Sequence, residues 1–166
     1  MILRTARPAD LPALVTIYNQ AIAAHATAFL DPVSVADRQG WFAAHTPDRR
    51  PILIAERDGD MLGWCSLSDY RPGRAAVRHA AEISYYVDET QRRQGVASAL
   101  VRDALARCPA LGIRTLFAIV LADNEASLAV LERFGFARWG RLPNVADFDG
   151  RRVDHVYCGL ELEPPA

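Results

Sequence analysis

Lysine is absent from this chain: all 19 of its basic side chains are arginine. That excludes a Schiff-base lysine and the phosphate-binding lysine of a P-loop. An excess of one charge is missing too. The net is −1, so no global field holds nucleic acid or an anionic membrane, and neither is expected as a partner. The longest strongly apolar run, Leu116 to Ala122, is far short of the ~20 residues that cross a bilayer. The opening Met1-Ile-Leu-Arg-Thr lacks the basic-then-apolar order of a secretory signal. Cysteine is scarce: Cys65, Cys108 and Cys158 are an odd number without CxxC spacing, each among apolar neighbours. They read as reduced, buried small hydrophobes, which points to a cytoplasmic location. His25, His45 and His79 have no ligand spacing, so no metal is expected, and His155, alternating with Asp154 on a late strand, reads as structural or surface. No repeat, low-complexity tract or linker breaks the chain. Its length fits one domain, taken as residues 1–162, with residues 163–166 a disordered tail.

What is present is a succession of amphipathic elements. Half the residues (51%) are hydrophobic, enough for a core that needs no disulfide or metal. Asp10 precedes Leu11, Leu14, Val15, Tyr18 and Ile22, a capped helical stripe. Residues 34–44, opening on Ser34 and holding Trp41 and Phe42, suggest a second short helix. Two apolar runs, 51–57 and 61–67, flank Asp58-Gly59-Asp60 and read as a hairpin. Residues 70–81 look irregular and basic. Residues 82–87 alternate, with Ile83, Tyr85 and Val87 on one face and Glu82, Ser84 and Tyr86 on the other. A helix is expected over 96–107, a central strand over 115–121 and a helix over 124–134 closed by Gly135. Two last strands, 136–141 and 153–162, bracket Asp149-Gly150. The order α-α-β-β-β-α-β-α-β-β predicts an α/β fold, a mixed sheet with helices on both faces.

The chemistry concentrates where a strand runs into Arg92-Arg93-Gln94-Gly95-Val96-Ala97 and a helix begins. Small residues at 95 and 97 let backbone approach a ligand. Unpaired amides at the helix start carry the positive end of its dipole, so they suit an anion such as a pyrophosphate. The competing reading is an ordinary strand-turn-helix with a solvated arginine pair.

R-x-x-G-x-A after Tyr-Val-Asp resembles the acetyl-CoA loop of the Gcn5-related N-acetyltransferases (GNAT). Asn124-Glu-Ala-Ser127, followed by Gly135-Phe136, resembles a second family signature at the usual spacing, and Arg4, Arg7, Pro8 and Asp10 resemble its opening segment. Ile17-Tyr-Asn-Gln-Ala21, Thr27-Ala-Phe29, Trp41-Phe42 and Tyr70-Arg71 are similar to the phosphinothricin and methionine sulfoximine acetyltransferase subgroup. The resemblance implies the GNAT fold: a mostly antiparallel sheet with one splayed strand pair. It implies acetyl-CoA as donor, held by Tyr85, Tyr86 and Val87, by Arg92, Arg93, Gln94, Gly95, Val96, Ala97 and Ser98, and by Asn124 and Arg133. It implies direct transfer of acetyl to the primary amine of a small amino-acid-like acceptor, with Glu82 as base. The competing role for Glu82 is an ion pair with Arg78 or another arginine. Arg71, Arg74 and Arg78 match the subgroup's acceptor loop, and guanidinium groups suit a carboxylate. Phe29 is a candidate pocket wall, with core packing its competing role. Leu131 stands where relatives carry Tyr or His, so no general acid is assigned. A homodimer is implied, with Trp139, Phe148 and Tyr157 giving the last strands aromatic bulk; the competing role of these three is core packing. The alternatives are an enzyme acting on a protein N-terminus or another amine, and a non-catalytic acyl-CoA sensor.

Overall fold

Turn chemistry sets both long hairpins. The computed structural model describes residues 1–162, and the expected tail, residues 163–166, lies outside them. Asp58 and Gly59 take φ of 54° and 92°, and Asp149 and Gly150 take 53° and 94°. Two successive left-handed residues match the natural twist of paired strands. They join β2 (Ile52–Arg57) to β3 (Asp60–Asp69), and β6 (Ala137–Phe148) to β7 (Arg151–Glu161). The other strands are β1 (Ile2–Thr5), β4 (Ala80–Val87) and β5 (Thr115–Leu121). The helices are α1 (Leu11–Ala23), α2 (Val35–Ala43), α3 (Val96–Arg107) and α4 (Glu125–Arg133).

Side-chain alternation divides the sheet's two faces. Leu53 and Ala55 of β2 join the core under α3 and α4, while Ile52 and Ile54 join the core under α1. Trp64 anchors the second core, its indole N–H donating to the Leu14 carbonyl at 3.1 Å. Ser34 caps α2, accepting from the Asp37 amide at 3.1 Å while Asp37 reaches back to the Ser34 amide, a reciprocal capping box.

The sheet order is β1-β2-β3-β4-β5-β7-β6. Every neighbouring pair is antiparallel except β4 and β5. That parallel pair makes contact only at Ala80–Thr115, Ala81–Leu116 and Glu82–Phe117, after which the strands part. Two readings need correction. The first strand, β1, is missing from the expected order. It is a four-residue edge held by pairing with β2 and by Arg4, which bonds Glu56 at 2.7 Å and Asp10 at 2.7 Å. The last strands are longer than expected, because β6 continues to Phe148 across two irregularities in its pairing.

Candidate active site

Beyond Glu82, β4 stays paired to β3 and β5 stays paired to β7. Two clefts open around the gap, of about 780 and 360 Å³. They share Ala26, Ser84, Tyr86 and Ile119, so a group lying in one can reach a group lying in the other.

The larger cleft runs from the open backbone of β4 to the start of α3. Tyr85, Tyr86 and Val87 line one side; Arg92, Arg93, Gly95, Val96, Ala97 and Ser98 form the turn; Asn124 and Arg133 of the α4 segment close it. Gln94 is not among its lining residues, and its side chain accepts from Arg57 at 3.3 Å. Arg93 and Gly95 are left-handed, with φ of 63° and 79°. Gly95 is the N-cap of α3, and no side chain caps the helix there. The first amides of the helix are therefore available to a ligand. A Cβ at Gly95 would meet nothing within 4 Å, so it is the positive φ rather than crowding that calls for glycine here. Amides, a helix N-terminus and four arginines, of which Arg92, Arg93 and Arg133 form no ion pair among the described residues and Arg151 is paired with Asp123, suit a pyrophosphate. A parted strand with unclaimed N–H and C=O groups suits the amide-bearing arm of coenzyme A. Tyr85 spans the cleft floor, its hydroxyl donating to the Ser127 carbonyl at 3.1 Å, and Asn124 caps α4 by accepting from the Ser127 amide. These contacts brace the two walls against each other.

The smaller cleft is walled by aromatic rings: Tyr18, Phe29, Trp41, Trp64 and Tyr86. Glu82 lines it, from the face of β4 that also carries Ser84 and Tyr86. Burial pushes the Glu82 carboxyl above the usual carboxylate range, partly offset by the Ser84 hydroxyl. Its side chain forms no ion pair with Arg78 or with any other cation among the described residues. His155 lines the same cleft, and burial lowers its pKa and favours the neutral ring.

Arg71, Arg74 and Arg78 are exposed and outside the lining of either cleft. Arg71 lies over Tyr70, and Arg78 donates to the Ala75 carbonyl at 3.0 Å. What fixes their loop is Arg50, only 4% exposed, which donates to the Arg78 carbonyl at 2.8 Å and lies 2.7 Å from Asp69. The guanidinium that does line the smaller cleft is Arg38, a residue the sequence reading passed over. One signal was available: Arg38 and Trp41 are three apart on a short helix and so share a face. Leu131, at the position of the relatives' Tyr or His, is fully buried in the core. Among the described residues no three His, Cys, Asp or Glu side chains cluster as metal ligands would, and no helix is long and apolar enough to cross a membrane.

Comparison with known proteins agrees with this geometry. The profile of the Acetyltransferase (GNAT) family matches residues 11–136. A Bacillus subtilis protein, YwnH, provisionally named a phosphinothricin acetyltransferase, is 43% identical over 98% of this chain and 99% of its own. An L-methionine sulfoximine/L-methionine sulfone acetyltransferase of Pseudomonas paraeruginosa is 36% identical over 98% of this chain and 95% of its own. The solved complex of a Sinorhizobium meliloti GNAT phosphinothricin acetyltransferase with acetyl-CoA superposes with a TM-score of 0.91 at 29% identity, over 97% of this chain and 88% of that one.

Proposed function

Since the chain belongs to the GNAT acetyltransferase family and takes acetyl from acetyl-CoA, we propose that its acceptor is the primary amine of a small amino-acid-like molecule. Phosphinothricin, methionine sulfoximine and methionine sulfone are the type, as the names of the relatives suggest. The observation that carries this is the meeting of the two clefts at Ser84 and Tyr86, with Glu82 on the acceptor side. A cleft of about 360 Å³ with aromatic walls fits a molecule of amino-acid size better than a peptide chain.

The donor supplies an activated acetyl thioester. The chain's residues orient it and manage protons. An aliphatic amine is mostly protonated at neutral pH, so it must lose a proton before its nitrogen lone pair can attack. Glu82 takes that proton, directly or through a water. Its burial makes it a stronger base than a solvated carboxylate. The N–C bond then forms and the C–S bond breaks. Of the two protons the ammonium gives up, one balances the departing thiolate and one goes to solvent. Leu131 has no proton to give, and no side chain is assigned as the acid. The three buried free thiols, Cys65, Cys108 and Cys158, support a reducing, cytoplasmic setting. Exposed Trp139, Leu142 and Val145 on β6, the outer strand of the sheet, support a homodimer; Phe148 belongs instead to the core.

Thiol release from acetyl-CoA, measured across an amine panel, tests this reading. The panel holds phosphinothricin, methionine sulfoximine, methionine sulfone, common amino acids, a polyamine and an N-terminal peptide. Turnover confined to amino-acid-like acceptors is expected. Turnover on the peptide or polyamine alone overturns the acceptor class. Glu82→Gln should lower kcat by about 10²- to 10⁴-fold while acetyl-CoA still binds; unchanged turnover would remove Glu82 as base.

A further inference from the structure

We propose that Arg38 anchors the α-carboxylate of the acceptor, so that the smaller cleft recognises a free amino-acid zwitterion by its two charged ends. The inference rests on the acceptor reading above and names the group that enforces it.

Arg38 is half-buried on α2, its guanidinium carbon 4.1 Å from the centre of the Trp41 ring and 4.8 Å from that of Tyr18. Ring faces attract a cation but accept none of its five in-plane N–H groups. Its Nε is buried without a hydrogen-bond partner, and no side-chain hydrogen bond or ion pair of Arg38 is formed among the described residues. The adjacent acid, Asp37, is engaged elsewhere, accepting from the Ser34 amide at 2.8 Å and the Ser34 hydroxyl at 2.6 Å. A partly desolvated cation without an acceptor is costly by itself and stabilised by an incoming anion. Arg38 and Glu82 are the two formally charged side chains lining the cleft, with titratable His155 beside them.

That pair matches one class of molecule. A carboxylate fits the guanidinium fork by two parallel hydrogen bonds, and the ammonium of the same molecule meets Glu82, where its proton must go. An N-terminal peptide presents an amide in place of the carboxylate, and a polyamine presents a second cation toward Arg38. Neither supplies the counter-charge and paired oxygens that the guanidinium fork takes up. The aromatic walls then receive the apolar part of the side chain.

The test compares L-methionine sulfone with its carboxamide, in wild type, Arg38→Gln and Arg38→Lys, each variant being checked for acetyl-CoA binding by calorimetry. Wild type should favour the carboxylate acceptor in kcat/KM. Arg38→Gln should shrink that preference by about 10- to 150-fold, chiefly through KM. Arg38→Lys, which keeps the charge but not the fork, should fall between, and it decides the matter should the Gln variant fail to bind acetyl-CoA. Equal use of both acceptors by wild type, or an equal loss on both in the variants, overturns the anchor and leaves the acceptor class standing. Wild type inactive on every amino acid but active on the peptide overturns both.

Discussion

Gly63 offers a sharp test of how tightly the donor cleft is built. It lies on β3 opposite Val87, at the end of β4 that has parted from β5. A methyl group at this position would sit 2.6 Å from the Tyr86 carbonyl oxygen and 3.2 Å from a methyl of Val96. Both neighbours line the donor cleft. An unstrained carbon–oxygen contact is about 3.3 Å or more, so the carbonyl must retreat by roughly 0.7 Å. The obstacle is backbone and cannot rotate aside. Overpacking of this kind costs about 1–3 kcal/mol. At about 2–4 °C per kcal/mol for a chain of this length, Gly63→Ala should lower Tm by roughly 2–12 °C. Displacement of the β4 backbone also misplaces the thioester, and a shift of about 1 Å can cost on the order of 100-fold in rate. Thermal unfolding together with acetyl-CoA titration reads both effects. Gly40→Ala is the matched control: it lies within α2, its Cβ would meet nothing within 4 Å, and it should gain about 0.4–1 kcal/mol. Wild-type Tm and wild-type donor affinity in Gly63→Ala would refute the tight seam between β3 and β4.

Other outcomes follow from the same physics. Burial raises the folded-state pKa of Glu82 above its unfolded value. Its protonated form therefore supports the fold in acid, and that contribution is lost as pH rises through the raised pKa. Urea unfolding across pH should show Glu82→Gln more stable than wild type above that pKa, with the gap closing in acid. Wild-type kcat/KM should fall as the carboxyl gains its proton, while the variant stays low and flat. Arg50→Ala removes one partner of a buried ion pair with Asp69 and should cost about 3 kcal/mol by chemical denaturation. Arg49→Ala, removing an exposed partner of the same acid, should stay within about 0.5 kcal/mol. Gly95→Ala places a side chain at φ 79°; it should cost about 1–2 kcal/mol and weaken acetyl-CoA binding measured by calorimetry.

One wall of the larger cleft was legible because residues 83–98 are nearly contiguous; the rest, from α1, β5 and α4, was not, apart from Asn124 and Arg133. A strand, a turn over 92–98 and a helix start are a local pattern, and local patterns survive in sequence. The bounds of α3 and β5 were legible for the same reason, each being a strong periodic or apolar run between breakers. The acceptor cleft is different. Its walls come from α1, α2, β3, β4 and β7, through Tyr18, Arg38, Trp64, Glu82 and His155, and no local pattern joins these. Arg71, Arg74 and Arg78 drew attention by lying next to Glu82 in the chain. Their orientation depends on Arg50, some twenty residues earlier, which holds the loop by its backbone and leaves the three side chains in water. The strand β1 escaped because four residues with an arginine among them carry almost no alternation. It becomes a strand by pairing with residues more than forty positions on.

The parting of β4 from β5 gives the protein a strand edge in the interior of its own sheet. Edges at the rim of a sheet invite other chains, but this one is enclosed by the end of α1, the start of α3 and α4. An extended amide-bearing chain can lie along it. Donor binding is then the completion of the fold as much as an act of recognition. The free energy of those new bonds returns as stability, about 2.7 kcal/mol at a hundredfold excess over Kd. Amide hydrogens of Ser84 to Val87 that face the gap should exchange with solvent in the free protein and become protected when acetyl-CoA binds. The protein's resistance to unfolding would then rise and fall with the acetyl-CoA concentration around it.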